Sequence, residues 1–301
     1  MGGFWGAENG DNMTGIYAKV IEDSISQLGK RITTLQVKFH RFVLSEFNTH
    51  RVFSRNFSSS RAIPTKKLLE QVCNDPAIPV HWGKNQSGMQ AKEELQGINR
   101  QLAKDEWKHA AISAAGYAET LANMGAHKQI VNRVIEPFLW VNGIVTSTEW
   151  SNWFDLRAHD DAQPEIHELA LCMKEALNQS TPVVLKHDEW HLPYLTSEEK
   201  TKYGSKLGAQ ISAARCCRVS YLKHDGTKPN VDDDLALFER LAGAVPLHAS
   251  PLEHQATPDL CYNFKNIYPS SFVKPGLHGN LQGWIQYRKV WEQEIYTSQS
   301  N

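Results

Sequence analysis

Between Arg31 and His40 apolar and polar side chains alternate, with Leu35, Val37 and Phe39 set against Thr34, Gln36 and Lys38. A period of two predicts a half-buried strand. Phe42, Val43 and Leu44 carry the apolar signal on towards a polar stretch that opens at His50. That stretch is therefore expected just after a strand or short helix, where loops with exposed donors sit. From Glu93 to Ala126 an alanine-rich segment spaces Ile98, Leu102, Ala110, Ala114, Tyr117, Leu121 and Met124 loosely as a helix would. One long helix or two in line follow, with Gly116 a weak point and Gly125 the stop. The clearest amphipathic stripe is Ile166, Leu169, Ala170, Met173 and Leu177, within Pro164 to Leu177. Ala209 begins a small-residue helix that ends in Arg218-Val219-Ser220-Tyr221. Asp232 is expected to cap another, running to about Ala242 with Leu235, Phe238 and Leu241 inward and Gly243 at its stop. Pro64 to Gly88 reads as an irregular connection and Pro182 to Lys206 as a polar surface excursion. Gly279 to Trp291 has no readable period. Residues 1–14 are expected to be a flexible arm and residues 15–301 a single domain.

A chain of 301 residues with a formal charge of −1 can bury a large core but carries no global field for polyanions. Nucleic-acid coating is disfavoured, so anion binding must come from local clusters. Five cysteines, with no Cys-x-x-Cys spacing, fit reduced thiols in a cytoplasmic protein better than a disulfide framework or zinc knuckle. No signal-peptide pattern and no bilayer-length apolar run are present, and no membrane association is expected.

The chemistry concentrates between His50 and Arg61, which reads His-Arg-Val-Phe-Ser-Arg-Asn-Phe-Ser-Ser-Ser-Arg. Three arginines, a histidine and four hydroxyls suit phosphate, because a guanidinium matches phosphate oxygens in pairs and serines supply further donors. The plainer reading is a solvated serine-rich loop. Arg133 stands alone among Ile130, Val131, Val134 and Ile135, and a structural pair with Glu136 would account for it. His187 and His191 lie four apart, but Asp188 and Pro193 break the metalloprotease pattern, and no metal site is expected. There is no Walker loop or Gly-x-Gly-x-x-Gly fingerprint.

The His50 stretch resembles the signature of the flavin-dependent thymidylate synthases, the ThyX family: Arg-His-Arg, two residues, Ser, one residue, Asn, two residues, Ser, one residue, Arg. His50, Arg51, Ser54, Asn56, Ser59 and Arg61 stand in those places, with Thr49 where the first arginine belongs. Four other pieces resemble the family. Arg133 is similar to its isolated phosphate-reaching arginine, and Asn152 with Leu156-Arg157 to its flavin-contacting Asn and Leu-Arg pair. Arg218-Val219-Ser220-Tyr221 resembles the Ala-Arg-Val-Ser-aromatic segment, and His248-x-Ser250-Pro251-x-Glu253-His254 the His-x-Thr-Pro-Phe-Glu-His turn. The last two precede the signature in the family and follow it here, an order rotated as in a circular permutation.

The resemblance implies an α+β, ThyX-like fold with an antiparallel or mixed sheet flanked by long helices. It implies a homotetramer that shares its site between subunits. The implied reaction is reductive methylation of dUMP to dTMP, with methylenetetrahydrofolate giving the carbon, reduced FAD the hydride and NADPH the reducing equivalents. Ser59, Ser60, Arg61 and Arg133 are then expected at the nucleotide phosphate and Arg157 at the uracil edge. His50, Arg51, Asn56, Asn152, Ser220, Ser250 and Glu253 are expected at FAD. Arg157 and Ser59 are the catalytic expectations, Ser59 as a donor, since no histidine adjoins it in sequence to make it a nucleophile. Cys216 and Cys217 are read as buried small apolar residues. Arg288 or Lys289 is expected to replace the cation missing at Thr49. The alternatives are a flavin-dependent dUMP hydroxymethylase, or a non-enzymatic nucleotide or nucleic-acid binding protein on the same scaffold.

Overall fold

The alternating segment becomes the middle of a sheet. The computed structural model describes residues 15–218, 230–262 and 271–299. The expected arm and Val219, Ser220 and Tyr221 lie outside them. Strand β1 (Tyr17–Ser26) turns at Gly29, whose φ of +74° suits glycine, into β2 (Arg31–His40). A 3-10 turn and the short helix α1 (Leu44–Phe47) lead to the His50 loop and β3 (Ser54–Phe57). Helices α2 (Thr65–Asn74), α3 (Gly97–Asn123) and α4 (Lys128–Val131) precede β4 (Trp140–Ser147). Then come α5 (Ser151–Arg157), α6 (Pro164–Gln179), β5 (Val183–Leu185), α7 (Ser197–Cys217) and α8 (Val231–Ala242). A 3-10 turn at Ser250–Glu253, β6 (Ala256–Pro258), β7 (Trp284–Gln286) and α9 (Tyr287–Gln299) complete the described chain. The main sheet has the order β3-β4-β2-β1-β5, with β1 and β5 parallel and the other pairs antiparallel, while β6 and β7 pair separately. The class is α+β with a mixed sheet, as expected.

One sheet face packs Leu35, Val37 and Phe39 with Val141 and Val145 onto Ile166, Leu169, Ala170 and Met173 of α6. Each large side chain so buried stabilises the fold by about 1.5–3 kcal/mol. The opposite face departs from the half-buried expectation, because Ile32 and Thr34 have no exposure. The presumed surface excursion covers Thr34: His191, Leu192, Tyr194 and Leu195 are buried, and α7 starts at Ser197. His191 bonds Ser24 Oγ through Nδ1 at 2.9 Å and Thr34 Oγ1 through Nε2 at 2.8 Å. The chain continues from Thr34 Oγ1 to Thr146 Oγ1 at 2.6 Å, and from there to His254 Nδ1 at 2.8 Å. Polar residues at strand spacing here meet other polar residues rather than water.

Burial holds His191 far below the ordinary histidine range and pushes His254 down to about 3. The fold therefore favours neutral rings, while the unfolded chain takes up protons near pH 6.5. Stability from these groups is complete above that pH and falls as pH drops through it, by about 1.4 kcal/mol per pH unit per histidine. Urea midpoints measured from about pH 8 to about pH 5 are expected to decline with that slope, and His254→Gln is expected to remove one histidine's share of it.

Other expectations need correction. Pro64 to Gly88 contains helix α2, whose buried Leu68 and Val72, one turn apart, are hidden among prolines and charges. In α3 the packed face is Ala111, Ala115 and Ala118, which allow close approach to Leu68, Val72 and Ile135, while Ile98, Leu102, Tyr117 and Met124 are exposed. Gly116 does not interrupt the helix, and Gly125, with φ +86°, follows its end. Asn230, not Asp232, caps α8, exchanging hydrogen bonds with Asp233 in a capping box. The stretch without a period holds β7 and the first turn of α9, with Trp284 fully buried.

Helices α7 and α8 are joined by a buried ion cluster. Asp234 accepts from Arg215 Nε at 2.9 Å and from Arg218 Nε and Nη2 at 2.9 and 2.7 Å. Arg215 also bonds Glu199, at 2.8 and 2.6 Å, and the Tyr194 carbonyl at 2.8 Å.

Candidate active site

The two halves of the arginine-rich stretch have different jobs. In the first, His50 is buried edge-on against Trp153, with ring centroids 4.7 Å apart. Arg157, the last residue of α5, donates from Nε to His50 Nε2 at 2.9 Å and from Nη2 to Thr49 Oγ1 at 3.5 Å. A guanidinium accepts no hydrogen bond, so His50 Nε2 carries the lone pair and Nδ1 the proton. Burial, then the charges of Arg157 and Arg55, lower the His50 pKa. Arg55 pins the loop by donating to the carbonyls of His50 at 3.0 Å, Phe53 at 3.3 Å and Asn48 at 3.3 Å.

In the second half, the backbone from Ser58 to Ile63 is held from outside. Asn132 Nδ2 donates to the carbonyls of Ser60 and Ile63 at 2.7 and 3.2 Å, Lys128 to that of Ala62 at 2.9 Å, and Arg41 to that of Ser58 at 3.2 Å. Oε1 of Glu136 accepts from Ser60 Oγ at 2.6 Å, Arg133 Nη1 at 2.7 Å and Arg41 Nε at 3.1 Å. Arg133 thus meets the partner its plain reading names, but its side chain is 51% exposed rather than buried, so it can also face a ligand. Arg61 follows on the surface and, like exposed Arg51, has no ion-pair partner among the described residues.

The segments that follow the signature fold back onto it. Asn56 in β3 donates to the Cys216 carbonyl at the end of α7 at 3.0 Å, and Ser250 Oγ donates to Asn56 Oδ1 at 3.4 Å. Gln286 Nε2 donates to Ser54 Oγ at 3.2 Å and to the Glu253 carbonyl at 3.3 Å. The Glu253 carboxylate pairs with Arg288, which also reaches Glu292, while Lys289 pairs with Glu292. Neither Arg288 nor Lys289 has a described bond to Thr49; the cation there is Arg157.

An open cavity of about 1030 Å³ has Arg157, Asp155 and Leu156 on its lining together with Phe42, Trp107 and Pro137. Arg157 is the one arginine among its described lining residues, and the carboxylate of Glu136 is not among them. Asn152 is exposed and stands apart from these bonds, and Ser220 lies outside the described residues. Burial raises Cys216 strongly and pushes Cys217 up to about 12, which disfavours either thiolate as a nucleophile. Sequence reasoning missed Arg41 and Asn132, and counted Arg55 among the three arginines of the stretch without giving it a role of its own. Arg41 gave no signal, its carboxylate partner lying 95 residues on.

These contacts define an α+β protein whose arginine-rich segments gather where β2 and β3 give way to loops. Residues 23–183 match the family model described as thymidylate synthase complementing protein (Thy1), more than half of the chain, and the chain belongs to that family. It is the family that the His50 signature resembles. Two solved structures of the UMP/dUMP methylase PolB from Streptomyces cacaoi, bound with 5-Br dUMP and 5-Br UMP, are similar at 15% identity. Their TM-scores are 0.45 and 0.46, covering 56% of this chain and 91% and 90% of theirs. No curated protein matches the sequence. Among the described residues no helix is long and apolar enough to cross a membrane.

Proposed function

We propose that this protein is a flavin-dependent thymidylate synthase that methylates C5 of dUMP, with methylenetetrahydrofolate as carbon donor and NADPH as reductant. The observation that carries the reading is the meeting of separately spaced motifs: Arg157 on His50, Ser60 and Arg133 on one carboxylate, and Ser250 on Asn56. Arg133, Arg61, Ser59 and Ser60 hold the nucleotide phosphate through charge-assisted hydrogen bonds. Arg157 addresses the uracil edge, where a fixed cation in a partly enclosed cavity stabilises charge building on the carbonyls. Its bond to His50 keeps it oriented without transferring a proton, since His50 Nε2 is already an acceptor.

The donor set fits FAD. Arg51 offers a guanidinium with no ion-pair partner among the described residues, His50 a proton on Nδ1, and Asn56 and Ser250 a paired amide and hydroxyl beside the α7 terminus. Glu253 would act through Arg288, and Asn152 and Ser220 belong to the same proposed set. Bound there, FAD supplies the hydride that completes the methyl group. The exposed apolar side chains Ile98, Leu102, Ile112 and Tyr117 along α3 support a homotetramer.

The visible spectrum of the purified protein tests the reading. Oxidised-flavin absorption is expected, bleached by NADPH, with dUMP converted in the presence of the folate to a product heavier by one CH2. A colourless protein whose nucleotide affinity falls steeply with salt supports a binding protein instead. A product heavier by CH2O supports hydroxymethylation.

A further inference from the structure

We infer that Glu136 is a specificity-determining residue of the phosphate seat, an internal carboxylate that fits the seat to a monophosphate. The inference rests on the nucleotide reading above. An ordinary surface ion pair needs one partner, yet a single oxygen of Glu136 collects donors from three parts of the chain. These are Arg41 after β2, Ser60 after β3 and Arg133 after α4. Two guanidiniums and a hydroxyl converging within 2.6–3.1 Å are the donor set a phosphate oxygen requires. Glu136 is three-quarters buried and Arg133 half exposed, so the carboxylate lies behind the arginine that a ligand meets first.

The charges make the seat selective. Arg41 and Arg133 bring two positive charges to the Glu136 oxygen and Glu136 one negative, so the carboxylate cancels half of the charge gathered there before a phosphate monoester, carrying about −1.5 to −2 at neutral pH, arrives. A second phosphate would bring further negative charge against a carboxylate already in place. Without the carboxylate the same arginines would favour the more highly charged ligand. Glu136 therefore weakens anion binding in general and weakens diphosphate binding most.

Titration calorimetry of the purified protein with dUMP, dUDP and unphosphorylated deoxyuridine, on wild type and Glu136→Gln, tests this. Glu136→Gln is expected to bind dUMP roughly tenfold more tightly and to gain more for dUDP, with deoxyuridine unchanged. Glu136→Asp, which keeps the charge, is expected to retain the wild-type preference for dUMP over dUDP. Thermal melting establishes that the variants are folded, and Glu136→Met, uncharged and of similar length, gives the same comparison if the glutamine variant does not fold. The inference is overturned if a folded uncharged variant binds dUMP no better than wild type, or if deoxyuridine gains as much as dUMP. If wild type binds deoxyuridine but shows no preference for dUMP, the phosphate seat itself is misassigned and both readings fall.

Discussion

Arg157→Ala is expected to lower kcat/KM for dUMP methylation by at least about 100-fold, the scale on which removing one preorganised charge donor acts. The residue ends α5 and reaches back to His50 Nε2 and Thr49, so its removal takes away a cation and also an anchor of the loop. Most of the loss is expected in kcat if the guanidinium addresses charge that develops during reaction, because binding alone would appear in KM. Arg157→Lys is expected to recover little, since an ammonium cannot hold His50 and face the ring at once. The His50 pKa should also rise in Arg157→Ala, as a neighbouring positive charge that disfavours the imidazolium is gone. Steady-state kinetics with NMR titration of the ring would measure both. Unaltered kcat would remove Arg157 from the chemistry.

Asp234→Ala is expected to cost about 3–5 kcal/mol of stability, because it leaves two arginines without the carboxylate that compensates their burial. Arg215 and Arg218 each retain only 6% side-chain exposure, and Asp234 none. Glu199 still faces Arg215 in the variant, so most of the deficit falls on Arg218, whose described ion pair is with Asp234 alone. Urea denaturation at neutral pH would show it, and a change below about 1 kcal/mol would mean that water reaches the cluster.

Local pattern carried the elements whose apolar stripe meets one layer. Strand β2 has the bounds and α6 the inward face that their periods predict, although β2 is covered on its polar face as well and α6 runs two residues further, to Gln179. Helix α3 was legible in extent but not in orientation. Its packed stripe is alanine, which gives little hydrophobic contrast, and its large apolar residues face outward. Candidate site residues were legible where motif spacing exposed them, and Glu136 was named as Arg133's partner three residues away. Arg41 and the threonine-histidine chain were not, since their partners stand 95 to 157 residues distant and no local window contains both.

The bond from Asn56 to Cys216 spans 160 residues and that from Gln286 to Ser54 spans 232. A ribosome therefore releases the arginine loop long before the segments that wall it in have been made. Closing such wide loops is entropically slow, and a nascent chain waits with one side of its sheet uncovered. Assembly of the pocket thus waits on two wide loop closures rather than on contacts between neighbours in the chain.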